Sequence, residues 1–91
     1  MPHMIIRHKV ADFDAWKKVY LDHEAARQAA GLNVRHLWRN ENDSNEVFIL
    51  MEASDLEMAK ELASSSELKE KMEASGVVGQ PDIAFLLEDD G

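Results

Sequence analysis

Apolar residues recur along this chain with two different periods, and the switches between them mark out its elements. In "HMIIRHKV" (3–10), Met4, Ile6, His8 and Val10 share one parity and Ile5, Arg7 and Lys9 the other, which predicts a strand with one more apolar face. Asp12 then offers an N-cap, and Asp14 adds negative charge to the first turn, where the helix dipole favours it. From there the spacing is helical. At ~100° per residue, Phe13, Trp16, Val19, Tyr20, His23, Ala26 and Ala30 fall on one face. The helix is expected to run to Ala30, with Gly31 as the residue that ends it.

Alternation resumes in "LNVRHLWR" (32–39), with Leu32, Val34, His36 and Trp38 on one face and Asn33, Arg35, Leu37 and Arg39 on the other. "NENDSN" (40–45) is a polar turn cluster, and "EVFILMEA" (46–53) is a nearly continuous apolar run that suits a central strand. Ser54 or Asp55 caps a second helix with Leu56, Ala59, Leu62 and Ala63 facing inward. "SSSE" (64–67) breaks or restarts that helix, and Leu68 and Met72 carry its apolar face on to Gly76. "VVGQP" (77–81) is expected to be a loop, "DIAFLLE" (82–88) the last strand, and "DDG" a solvated tail.

Strand, helix, strand, strand, helix, strand is the order of a ferredoxin-like βαββαβ protomer, an α+β fold whose four-stranded antiparallel sheet carries both helices on one face. The other face is then bare. It would hold Ile5, Leu37, Ala84 and Leu86 with Phe48 and Leu50, beside Arg7, Arg35 and Glu52. That is too much apolar surface for a monomer, so two sheets packing face to face as a homodimer are expected, a dimeric α+β barrel. Arg7 and Glu52 are expected to pair on that face, across neighbouring strands or across the dimer.

These parities send three histidines, His8, His23 and His36, toward one interior with Trp16, Tyr20 and Trp38. Imidazoles are costly to bury without partners, so each needs a role. One role is structural, a neutral ring bonded to a carbonyl or to the Tyr20 hydroxyl. A metal site is disfavoured: the fold separates His8 and His36 by about two strand spacings, ~10 Å, and no HxH or HExxH spacing is present. The third role is a pocket for an organic ligand between helix and sheet. On that reading His8, Tyr20 and His36 are the candidate catalytic groups, and Trp16, His23 and Trp38 line the ligand. His23 is expected to be neutral, largely buried and part of the pocket floor. "GVVGQP" is no phosphate loop, because it does not match GxGxxG and precedes a strand.

Length and composition narrow the picture further. The 91 residues suit one domain, 1–91, with a thin core. Hydrophobic residues make up 45% and charged residues 31%, the mix of a folded soluble chain. A net charge of −8 repels phosphate backbones, so no nucleic-acid partner is expected. The absence of cysteine excludes thiolate metal sites and disulfides. No apolar run approaches the ~20 residues of a membrane span and the N-terminus lacks a signal-peptide core, so a cytoplasmic protein is expected. No cofactor motif is visible.

Four stretches resemble a known family: "H-x-V-x-D-F-x-x-W" (His8 to Trp16), "H-E-A-A-R" (23–27), "N-E-V" (45–47) and "G-V-V-G-x-P" (76–81). Together they are similar to the antibiotic-biosynthesis-monooxygenase-like domains of the dimeric α+β barrel superfamily, over nearly the whole chain. The resemblance implies a ferredoxin-like protomer, a homodimer and a pocket in each protomer. It also implies small-molecule chemistry, in the style of cofactor-independent oxygenases acting on aromatic or polyketide-like compounds. The alternative is a non-catalytic ligand-binding or accessory protein with structural histidines.

Overall fold

The computed structural model describes residues 2–89. Its elements are β1 (His3–Val10), α1 (Phe13–Asp22), α2 (Glu24–Ala29), β2 (Leu32–Asn40), β3 (Asp43–Ala53), α3 (Leu56–Ser64), α4 (Ser66–Ala74) and β4 (Val77–Leu86). The strands form one antiparallel sheet in the order β2-β3-β1-β4. This is the expected βαββαβ protomer, with each helix of the simple pattern broken in two.

The core is built from the parity read in β1 and β3. Met4, Ile6 and Val10 meet Val47, Ile49 and Met51 on the helix side, joined by Phe13 and Trp16 from α1, Ala59 from α3 and Leu32 and Ala53 at the strand ends. Burying each large aliphatic side chain here contributes about 1.5–3 kcal/mol relative to exposure. The helix starts are fixed by side-chain caps. Asp12 accepts from the Asp14 N–H at 3.0 Å, Asp55 from the Met58 N–H at 3.2 Å, and Ser65 from the Leu68 N–H at 3.1 Å. The Ser65 cap is what restarts the second helix within the "SSSE" stretch.

Four expectations are corrected. The first helix does not run unbroken to Ala30. It stops at Asp22 and restarts at Glu24, with His23 (φ −98°, ψ 12°) between. At the break the Tyr20 carbonyl accepts from the His23 N–H at 3.3 Å and from the Arg27 guanidinium at 2.7 Å. The polar cluster 40–45 is mostly strand: Asn40 and Asp43 pair, leaving only residues 41–42 as the turn. Side chains support that end of the ladder, since Asn40 Nδ2 donates to Glu46 Oε1 at 2.8 Å and Asp43 accepts from the Asn45 N–H at 3.0 Å. The "VVGQP" segment is strand as well. It opens β4, with a register shift opposite β1 that Gly79 (φ 73°) and Pro81 accommodate, as edge strands allow.

The fourth correction bears on the site. In β2 the register passes from Val34↔Met51 directly to His36↔Leu50, so Arg35 is an extra, bulged residue. Beyond it the parity inverts. Leu37 and Arg39 now point toward the helices, opposite Ile49 and Val47, while His36 and Trp38 point to the open face, opposite Leu50 and Phe48. Leu37 therefore packs on the core instead of lining the open face, and Arg39 lays its guanidinium 3.8 Å from the Phe13 ring centroid. The open face holds Ile5, Phe48 and Leu50, with Trp38 46% and Leu86 41% exposed. Within the chain its charges do not form the expected Arg7–Glu52 pair across neighbouring strands. Arg7 meets Glu46 at 3.4 Å and Glu52 meets Arg35 at 3.0 Å, because register sets Arg7 against Phe48 and Glu52 against His3.

Candidate functional site

A cavity of about 320 Å³ lies between the helices and the sheet. Its floor is Ile6 and His8 of β1 with Ile49 and Met51 of β3. One wall is Trp16, Val19, Tyr20 and His23, followed by Arg27 from α2; the other is Leu62, Leu68 and Met72, with Glu67 and Lys71. The α1 wall follows from spacing alone, since positions 16, 19, 20 and 23 are one helical face.

Along that wall the rings form a column. His8 meets the Trp16 ring edge-on at 5.3 Å between centroids and 67°. Trp16 stacks on Tyr20 at 4.9 Å and 24°. Arg27 closes the column, its guanidinium 3.9 Å from the Tyr20 ring centroid, close enough for a cation–π contact.

His8 is 5% exposed on a central strand, and both of its ring nitrogens lack a hydrogen-bond partner among the described residues. Leaving such a group unsatisfied costs about 1–3 kcal/mol. Burial pushes its pKa down from 6.5 to about 4, so the ring is neutral at physiological pH. Burial raises the Tyr20 phenol above its ordinary value, while the Arg27 guanidinium pulls it back, so the hydroxyl stays protonated. The cavity thus offers aromatic walls, an apolar floor, one neutral imidazole whose covered nitrogens have no partner among the described residues, and a guanidinium. It suits a flat organic molecule with a few polar substituents.

Of the six residues singled out from sequence, His8, Trp16, Tyr20 and His23 line this cavity. His23 is only half-buried, and its backbone carries the junction between α1 and α2. His36 and Trp38 are corrected: they stack on each other at 4.7 Å and 13° on the opposite face of the sheet, where the Arg35 bulge turns them. Arg27 went unremarked, although it stands seven residues after Tyr20 and four after His23, on the same helical face. Among the described residues no cluster of three or more histidine, aspartate or glutamate side chains is arranged to hold a metal ion, and no helix is long and apolar enough to cross a membrane.

The chain has the same fold as solved structures described as antibiotic biosynthesis monooxygenases. Three solved structures illustrate the likeness. A candidate antibiotic biosynthesis monooxygenase from Caulobacter crescentus is 23% identical, covers 93% of this chain and 86% of its own, and superposes with a TM-score of 0.70. A second such candidate, from Bordetella bronchiseptica, is 10% identical over 97% of this chain and 96% of its own, with a TM-score of 0.76. SnoaB, a cofactor-independent oxygenase from Streptomyces nogalater seen as a single-substitution variant, is 14% identical over 99% and 94%, with a TM-score of 0.70. No family model matches the sequence, and no curated protein is detectably similar to it. At these identities the likeness establishes the fold and leaves the chemistry to the site.

Proposed function

We propose that this chain forms a cytoplasmic homodimer and that each protomer's cavity binds an aromatic or polyketide-like compound, on which it acts as a cofactor-independent monooxygenase-like enzyme. The observation that carries this reading is His8. Its ring lines the cavity, and its two covered nitrogens have no partner among the described residues, a cost that a ligand reaching the ring through a small side-chain shift would offset. Trp16 and Tyr20 line the same cavity and, stacked on each other with Arg27 over Tyr20, meet such a ligand with their ring edges. The homodimer follows from the open sheet face, where Ile5, Trp38, Phe48 and Leu50 have no helix to cover them. A cofactor-independent oxygenase draws its electrons from the substrate, so an activated methylene and dioxygen give a ketone and water. His8 and Tyr20 would orient the substrate hydroxyl or carbonyl beside that carbon.

A second reading, a ligand-binding or accessory protein without turnover, is favoured by one specific property. An imidazole whose conjugate acid has a pKa of about 4 is a weak base, and a phenol near ~10 cedes its proton to it only as a minor species. Oxygen uptake separates the two. The enzyme reading expects a panel of anthrones and hydroquinones to be consumed with one dioxygen per product, at a rate that His8→Leu abolishes. Saturable binding without oxygen uptake would establish the binder, and no binding of any member would remove both.

A further inference from the structure

The charge on the cavity wall is opposite to the charge on the molecule. The chain carries a net −8, yet the charged side chains lining the cavity are Arg27, Lys71 and one acid, Glu67. Glu67 is committed to Lys71, 3.1 Å away and one turn along α4. Arg27 is left without a carboxylate partner among the described residues. Glu24 lies near enough to influence the Tyr20 phenol but makes no ion pair with Arg27.

Arg27 is also held in place. One Nη1–H is used on the Tyr20 carbonyl at 2.7 Å, and the guanidinium plane sits over the Tyr20 ring at 3.9 Å from its centroid. Its Nε is buried and has no acceptor. A guanidinium has five N–H donors in a fixed fork. A half-buried one, neutralised by nothing and fixed at the end of an aromatic column, is arranged for an anionic oxygen.

We propose that the ligand of this cavity is an aromatic acid, whose anionic oxygen is bound by Arg27 and whose apolar body runs past the ring edges of Tyr20 and Trp16 toward His8. This rests on the reading of the cavity as a ligand site and adds to it the charge and orientation of the molecule. The polar end lies at the α1–α2 junction, and the end that meets the neutral imidazole is the one placed for chemistry. The break in the first helix then has a use, because it brings Arg27 back over Tyr20 within one short turn of α2.

A matched pair of probes tests this: 2-naphthoate and its neutral isostere 2-naphthamide, titrated against the intact protein by calorimetry. The wild-type chain is expected to bind the carboxylate at least about tenfold more tightly, about 1.4 kcal/mol, because a hydrogen bond from the guanidinium to a charged oxygen is stronger than one to a neutral amide. Arg27→Gln is expected to weaken naphthoate alone and bring the two affinities together, and Arg27→Lys to keep part of the preference. Equal wild-type affinities would overturn the proposal while leaving the cavity as a ligand site, and that comparison needs no variant to fold. A preference that survives Arg27→Gln would overturn it as well. Failure of both probes to bind would remove the proposal together with the ligand-site reading on which it rests.

Discussion

Trp16 presents its ring to the His8 imidazole at 5.3 Å and 67°, an edge contact that satisfies neither ring nitrogen. A buried imidazole without a protein partner for either nitrogen costs stability. His8→Leu, which keeps an apolar contact with Trp16 and removes two unsatisfied nitrogens, is expected to raise stability by about 1 kcal/mol in denaturant unfolding. The same change is expected to abolish ligand binding. A loss of more than about 2 kcal/mol would instead indicate that the ring has a structural partner.

The pH dependence follows from the same residue. Its folded pKa, about 4, lies below the ordinary 6.5, so the unfolded chain binds the proton more readily. Stability is then unaffected by His8 above pH 6.5, falls as pH drops from 6.5 toward 4, and loses nothing further to this group below that. Unfolding curves across that window, compared between wild type and His8→Leu, are expected to show a shallower acid limb in the variant. Superimposable limbs would mean that another group dominates.

The chain has two tryptophans, and they face opposite sides of the sheet. Trp16 is 4% exposed beside the cavity, and Trp38 is 46% exposed on the open face. Ligand addition is expected to quench emission in Trp38→Phe, where only Trp16 reports, and to leave Trp16→Phe nearly silent. Dilution through the dimer range is expected to do the reverse. Phe is the right replacement, because Trp→Ala in a core costs about 3–5 kcal/mol and would confound the titration. A ligand response carried by Trp38 would move the site to the other face.

Those two tryptophans also mark how far the sequence could be read. The parity of β1 was legible, because alternation leaves one arrangement, whereas β3 is a continuous apolar run whose parity is decided by its register with β1. The helical face from Phe13 to His23 was legible from its spacing. The Arg35 bulge was not. No glycine or proline announces it, and one inserted residue inverts every side chain beyond it, which moved His36 and Trp38 out of the site and Leu37 into the core. The break at His23 was equally silent, since its stabilisation comes from a side chain four residues on. In β4 the glycine and proline of "GVVGQP" signalled a loop but serve an irregular edge strand.

At the entry to β2, Gly31 has φ 77° and stands against Ser54, whose hydroxyl donates to the Gly31 carbonyl at 3.1 Å. A Cβ at position 31 would collide with Ser54 Oγ. Gly31→Ala is expected to cost about 1–2 kcal/mol from the left-handed backbone alone, and more from the collision. Adding Ser54→Ala should recover the collision but not the backbone strain. A double-mutant cycle by chemical unfolding is expected to give a favourable coupling of roughly 0.5–3 kcal/mol. Strict additivity would place the whole penalty in the backbone.

Leu50 stands at the middle of the open face, paired in register with Ile5 on one side and His36 on the other. In the protomer it is only half-buried, so Leu50→Asp should fold. In the proposed homodimer it meets the second sheet, and an unpaired carboxylate sealed there costs about 3–5 kcal/mol. The dimer dissociation constant should therefore rise at least about a hundredfold. Leu21→Asp makes the same charge change at an exposed position on α1 and controls for it. Sedimentation at micromolar concentration is expected to give twice the chain mass for wild type and Leu21→Asp, and a monomer for Leu50→Asp. A wild-type monomer, or a Leu50→Asp dimer as tight as wild type, would remove this face from the assembly.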